Sequence, residues 1–193
     1  MLRSDLLKAL GATGTAILPV IHVRDEDQVV SNLEIVGQSG AHGCFLINHD
    51  FDAITLLPFI RQARASFPNL WIGVNFLGVT AGDAFSLLAR LAESDCRVDG
   101  YWADDAYVSQ AGASQPDAAR VSEMRQQSNW EGLYFGGTAF KYRRAVPPEQ
   151  FRAVAETATH YMDVVTTSGP STGEAAAPSK IAAFRDGVGG HAL

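Results

Sequence analysis

Short apolar runs recur along this 193-residue chain at a near-constant interval. They begin near Ala16 (AILPVIHV), Gly43 (GCFLINHD), Leu70 (LWIGVNFLG), Asp99 (DGYWADDAY), Gly132 (GLYFGGTAF), Met162 (MDVVTTSG) and His191 (HAL), with starts separated by 27, 27, 29, 33, 30 and 29 residues. One strand, one helix and two short loops need about 30 residues, so the pattern predicts a repeated βα unit. Between the runs, apolar residues recur at helical spacing: Val29, Leu33 and Val36, then Leu57, Ile60 and Phe67, then Phe85, Leu88 and Leu91, and later Phe151, Val154 and Ala158. The fourth helix, over Ala118 to Gln127, has only a thin apolar stripe. Pro58 has no N–H to give and places the start of the second helix at about Leu56 or Leu57. A short amino-terminal helix at about residues 4–10, carrying Leu6, Leu7 and Leu10, is expected over the amino end of the strands.

The strands are nearly continuous apolar runs, which implies burial on both faces, as in a parallel sheet covered by helices. Such a series gives a closed barrel or an open doubly wound sheet. The turn after the first run, His22 to Asp27, is acidic and has no glycine, which disfavours a dinucleotide crevice. The expected fold is therefore a parallel (β/α) barrel of the triosephosphate-isomerase type, one domain over residues 1–193. It is incomplete, because the chain supplies six βα units and the opening of a seventh at His191-Ala192-Leu193, where a barrel has eight. Six parallel strands in sequential order are expected, with the first and sixth unable to pair. The expectation is a shortened gene product, or a homo-oligomer in which a second copy covers the open edges.

Composition narrows the classes of function. With 47% hydrophobic and 19% charged residues the chain is an ordinary globular sequence. A net charge of -6 argues against nucleic acid. No apolar segment approaches the ~20 residues that span a bilayer, so no membrane insertion is expected. Two cysteines without CxxC spacing, Cys44 and Cys96, suggest neither a disulfide scaffold nor a zinc site, and a cytoplasmic location is expected.

Barrel enzymes keep their chemistry at the carboxyl ends of the strands. Here those ends carry His22, then Asn48 and Asp50, Asn75, Asp104, Lys141, and the loop Thr166 to Gly173. Strand parity puts Asn48 with Asp50, Trp102 with Asp104, and Thr166 with Ser168 on shared faces. His22 is a candidate acid or base, or a hydrogen-bonded core histidine. Lys141 is a candidate Schiff-base lysine, an anion ligand, or a surface lysine. Thr166, Ser168, Gly169, Ser171, Thr172 and Gly173 form a small-residue loop whose hydroxyls and amides can wrap an anion, with a helix starting near Ala175 or Pro178 aimed at it. A metal site from Asp50, Asp104 and His22 is conceivable, but no ligand spacing singles one out, and no cofactor is named by the sequence. Lys141, Arg143 and Arg144 form a small basic cluster, read as a solvated edge.

The chain resembles the BtpA family in five motifs taken in order. These are Pro19-Val20-Ile21-His22-Val23, Ile47-Asn48-His49-Asp50-Phe51-Asp52, Ile72-Gly73-Val74-Asn75-Phe76-Leu77, Phe140-Lys141, and Thr167-Ser168-Gly169-Pro170-Ser171-Thr172-Gly173. The fifth strand departs from the family in having Gly137 and Ala139 where it has an Asp and a His. The resemblance implies a barrel, with roles ranging from photosystem biogenesis to unassigned enzymatic activity. Two functions are expected from residues and resemblance together. One is an enzyme acting on a small anionic, phosphorylated metabolite by lyase, isomerase or hydrolase chemistry. The other is a non-catalytic barrel that assists assembly of a protein complex.

Overall fold

The computed structural model describes residues 1–109 and 114–193. Among these, α1 (Arg3–Ala9) precedes six βα units: β1 (Val20–Val23) with α2 (Glu26–Gln38), β2 (Cys44–Asn48) with α3 (Ala53–Ser66), β3 (Ile72–Asn75) with α4 (Ala81–Glu93), β4 (Gly100–Ala103) with α5 (Pro116–Ser128), β5 (Leu133–Gly137) with α6 (Phe151–Ala158), and β6 (Val164–Thr166) with α7 (Pro178–Val188). Every pairing is parallel and the order is β1-β2-β3-β4-β5-β6. Among the described residues β1 and β6 do not pair with each other. Beyond α7, Ala192 bridges Val164 in parallel and accepts the Val165 N–H at 3.1 Å, so the last apolar run begins a strand beside β6. The architecture is a partial (β/α) barrel.

Local chemistry starts the helices. Asp25 accepts the Gln28 N–H at 2.8 Å, Asp52 the Thr55 N–H at 2.8 Å, and Thr80 the Asp83 N–H at 3.2 Å. The Asp52 cap sets the start of α3 at Ala53, ahead of the start that Pro58 suggests, and Pro58 lies inside the helix. The helix tolerates it because the missing bond would reach Ile54, in the exposed first turn. The free edge of β1 is partly closed by one side chain. Gln28 donates to the His22 carbonyl at 3.1 Å and accepts the Arg24 N–H at 3.2 Å, standing in for a peptide group of a neighbouring strand.

Alternation along the strands builds two apolar layers. Cys44, Leu46, Ile72, Val74, Tyr101 and Val165 face the helices. Phe45, Phe135 and Val164 face the barrel axis, where Leu6 and Leu10 of the amino-terminal segment close the lower end. Phe45 is the hub of this inner layer, with ring centroids 5.3 Å from Trp71, 5.5 Å from Trp102 and 5.2 Å from Phe135 in edge-to-face contacts. Glycine makes the room: a Cβ at Gly73 would lie 2.5 Å from Phe45, and one at Gly100 2.5 Å from Trp71. Burial pushes the Cys44 thiol up to about 12, so it serves as a small hydrophobe.

At the amino ends of the strands a buried ion pair joins α3 to two strands. Asp99, just before β4, accepts the Ile72 N–H at 2.8 Å and Arg64 at 2.5 Å, while Arg97 Nε pairs with its other oxygen at 2.8 Å. Arg64, 8% exposed, spends its remaining donors on the carbonyls of Arg97, Phe67, Pro68 and Leu70. The same device recurs two units later: Asp163, just before β6, accepts the Tyr134 N–H at 2.8 Å and Arg125 at 2.6 Å.

Two outcomes follow. Asp99→Ala strands a buried guanidinium and a strand N–H, and should cost about 3 kcal/mol in urea unfolding; a loss under about 1 kcal/mol would contradict the clasp. The second concerns pH. His191 Nε2 lies 3.1 Å from the Met162 carbonyl, which fixes Nε2 as the donor, and Nδ1 faces the Met1 ammonium at 3.3 Å. Burial first, and that ammonium second, hold its pKa below the ordinary 6.5. The unfolded state therefore binds the proton more readily, and this contribution to stability is intact above about 6.5 and lost as pH falls below it. Melting temperatures from pH 7.5 to 5 should fall more steeply for the wild type than for His191→Gln.

Candidate active site at the carboxyl ends of the strands

The strand geometry that turns Phe45 and Trp102 toward the axis carries Asn75 and Asp104 to the mouth on adjacent strands. Val74 pairs with Tyr101, so Asn75 stands one residue and Asp104 three residues above that pair. Asn75, 5% exposed, donates Nδ2 to Asp104 Oδ1 at 3.0 Å. The other carboxylate oxygen faces Arg143, whose guanidinium comes within 3.5 Å from the loop after β5. These three side chains, with Tyr101, Asp105 and Tyr107, line a cleft of about 240 Å³ roofed by the Leu77–Ala81 segment. Asp105 turns its Oδ1 onto the Tyr107 N–H at 2.8 Å, which helps hold Tyr107 at a φ of 57°. A carboxylate oriented by an amide and set beside a guanidinium can accept or return a proton at a ligand atom in the cleft.

The other candidates are placed differently. Asn48 does not share a working face with Asp50. It lies on the helix-facing side of β2 with Cys44 and Leu46, is 2% exposed, and ties two loops together. Its Nδ2 donates to the Phe51 carbonyl at 2.8 Å and the Leu77 carbonyl at 3.2 Å, and its Oδ1 accepts the Leu77 N–H at 2.8 Å. Its capacity is spent holding the roof of the cleft. Asp50 is exposed beyond the strand and contacts His49 at 3.3 Å. His22 faces the axis from β1 with its ring 5.4 Å from that of His49, so the two histidines form a pair on the β1–β2 side of the mouth.

Lys141 stands four residues past the end of β5, on the loop. Its backbone N–H donates to Ser168 Oγ at 2.7 Å, and its ammonium to Thr172 Oγ1 at 3.1 Å. Tyr142 accepts the Thr172 N–H at 3.1 Å, and the hydrogen bonds to Thr172 lower its phenol pKa. The loop Thr166 to Gly173 thus lies under two basic-loop side chains, with Thr172 already engaged. Helix α7 starts at Pro178, without a side-chain cap, and points Lys180 back into the loops. The Lys180 ammonium donates to the Ala139 and Ser168 carbonyls, each at 2.7 Å, and burial lowers its pKa. Gly169 packs on backbone, since a Cβ there would sit 2.0 Å from the Glu174 carbonyl oxygen. Ser171 and Gly173 make no contact that singles them out. Thr166 Oγ1 and Trp102 Nε1 are buried without hydrogen-bond partners, beside a cavity of about 350 Å³ that also touches Thr167, Ile181 and Arg185.

Tyr101, Lys180 and His49 were not singled out by sequence reasoning. Tyr101 reads as one more apolar strand residue, and nothing in helix periodicity sets Lys180 apart from a solvated lysine. His49 falls on the parity of Phe45 and Ile47, and that alternation was the available signal.

A partial barrel with its polar residues gathered at the carboxyl end is the class that fold and site define. No family model and no curated protein matches the chain. Solved structures of low sequence identity do. A mandelate racemase/muconate lactonizing enzyme from Roseiflexus sp. superposes with a TM-score of 0.59 at 16% identity, covering 99% of this chain and 52% of its own. A dipeptide epimerase from Enterococcus faecalis V583 gives 0.56 at 12%, covering 89% and 45%. The 3,6-anhydro-D-galactonate cycloisomerase from Zobellia galactanivorans gives 0.53 at 14%, covering 86% and 43%. The chain spans about half the length of these structures. They support the triosephosphate-isomerase type of barrel, and they are enolase-superfamily proteins, not BtpA proteins.

Enolase-superfamily sites pair a lysine or histidine base with Mg²⁺. Among the described residues no three His, Cys, Asp or Glu side chains are grouped to hold a metal. Asp104 and Asp105 have already given oxygens to Asn75 and Tyr107, so the residues present do not fit that ion.

Asn48→Ala removes three hydrogen bonds from a buried loop tie. It should cost about 2–3 kcal/mol of stability and speed amide exchange at Leu77; unchanged exchange there would remove Asn48 from the roof of the cleft.

Proposed function

We propose that the chain is an enzyme acting on a small, phosphorylated metabolite at the mouth of its barrel, by isomerisation. The observation that carries this reading is the Asn75–Asp104 hydrogen bond of 3.0 Å at the ends of adjacent strands, opening on a cleft of about 240 Å³. Asp104 is the group that takes a proton from the substrate and returns it. Asn75 orients the carboxylate, and Arg143 faces its other oxygen until an anionic ligand draws the guanidinium away. The phosphate is received at the rim by Lys141, Arg144 and the Thr167–Thr172 loop, where Thr172 already meets the lysine ammonium. Isomerisation is preferred to lyase or hydrolase chemistry because the fold neighbours include an epimerase and a cycloisomerase. His22 and His49, across the mouth, are placed to serve as a second proton carrier.

A thermal-shift screen of phosphorylated metabolites is the first test, followed by turnover of the best stabiliser. Asp104→Asn keeps a hydrogen-bonding partner for Asn75, so it should melt within a few degrees of the wild type. It should bind the hit within a few-fold and lose at least ~100-fold in kcat. A panel in which no phosphate ester stabilises the protein, or an Asp104→Asn variant with wild-type turnover, overturns the proposal.

A further inference from the structure

The loop that brings Arg143 to the cleft turns a corner that its residue types do not favour. The Arg143 N–H donates to the Phe140 carbonyl at 3.2 Å, closing a four-residue turn with Lys141 and Tyr142 at its centre. Tyr142 holds φ at 59°, and Ala139, just ahead of the turn, at 49°. A positive φ at the second central position of a turn ordinarily goes to glycine or asparagine, because a Cβ there crowds the following carbonyl. Tyr142 is also 73% exposed, so its ring gains little by burial. What the side chain supplies is its oxygen. That oxygen accepts the Thr172 N–H at 3.1 Å and lies 3.5 Å from Thr172 Oγ1. A strained torsion persists only where the surroundings over-determine it, and here the surroundings belong to the neighbouring loop.

The corner is fastened to the loop after β6 and to the first turn of α7. Ahead of it, the Lys180 ammonium donates to the Ala139 carbonyl at 2.7 Å; within it, the Lys141 N–H donates to Ser168 Oγ at 2.7 Å. Phe140 is buried, its ring edge-on to that of Trp102 at 5.7 Å. Tyr142 is the last of these ties and the one next to Arg143 along the chain. The Arg143 side chain is half exposed, and its ion pair is with Asp104 Oδ2 at 3.5 Å. Arg144, one residue further from the corner, is exposed and makes no ion pair among the described residues. The difference between the two arginines therefore lies in how the backbone leaves the turn. We propose that Tyr142 is a positioning residue: its oxygen, fixed on the Thr172 N–H, holds the left-handed corner from which Arg143 reaches Asp104. This rests on reading the Asn75–Asp104 cleft as the substrate site. It adds that the cleft and the basic rim are set as one piece, since Thr172 also accepts from the Lys141 ammonium at 3.1 Å.

The test reads the arginine side chains by NMR in the whole, unliganded, ¹⁵N-labelled protein. The Nε–Hε resonances of Arg143 and Arg144 are assigned by their loss in Arg143→Lys and Arg144→Lys. In the wild type the Arg143 resonance should shift when Asp104→Asn is introduced, and its heteronuclear NOE should exceed that of Arg144. Tyr142→Phe keeps the ring and removes the oxygen. It should melt within about two degrees of the wild type, lower the Arg143 NOE to the level of Arg144, and remove at least half of the shift that Asp104→Asn produces. Tyr142→Gly takes the left-handed torsion without strain and should uncouple Arg143 in the same way, because the oxygen is the tie. An Arg143 signal that answers Asp104→Asn equally in the wild type and in either Tyr142 variant overturns the assignment, even where the melting temperature falls. A phosphate-ester panel without a hit, beside an Arg143 uncoupled by Tyr142→Phe, would sink the enzyme reading and leave the placement of Arg143 standing. A hit beside an Arg143 indifferent to Tyr142→Phe would do the reverse.

Discussion

The mouth of this barrel depends on a carboxylate at its opposite end. Asp99 accepts the Ile72 N–H and an arginine from α3, and so locks the foot of β3 against the foot of β4. In a parallel sheet a slip of one residue turns every side chain to the other face. With the register pinned at Ile72, Asn75 and Asp104 must emerge on the axis side and meet at 3.0 Å. Asp163 does the same for β5 and β6, with Arg125 in the place of Arg64. Each clasp sits in the unit that precedes a mouth loop, so the amino end supplies rigidity and the carboxyl end is free to carry polar groups.

Between these ends the aromatic layer sets the spacing. Phe45 in contact with Trp71, Trp102 and Phe135 fills the axis at mid-height, and Gly73 and Gly100 give up their side chains to admit it. The layer separates the apolar plug of Leu6 and Leu10 below from the polar mouth above. The mouth therefore stands on a packed apolar floor, beside which a hydrogen bond such as that from Asn75 to Asp104 is stronger than in water.

The mouth itself has two halves. On the β3–β4 side, buried side chains converge on one cleft under a roof held by Asn48. On the β5–β6 side, Lys141, Tyr142 and Lys180 knit the loops to one another through Thr172, Ser168 and Ala139. The first half sets two carboxylates beside Arg143, and the second carries the ammonium groups of Lys141 and Lys180.

The sequence by itself determined the repeat, the parallel order of the strands and the end of the barrel at which polar residues gather, because these follow from the period of apolar runs and from local capping. Asn75 and Asp104 were legible for the same reason: a polar residue at the end of an apolar strand has few other places to point. The partners of each side chain were decided only by tertiary structure. Asn48 and Asn75 look alike in the sequence, yet parity turns one into a loop tie behind the sheet and the other into a wall of the cleft. Lys180, about forty residues from Ala139 along the chain, reaches that carbonyl only once α6 and α7 pack together. Tyr101 is one aromatic among many until β4 and β5 are aligned and its ring stacks on that of Tyr134, a property of three-dimensional packing and not of residue type.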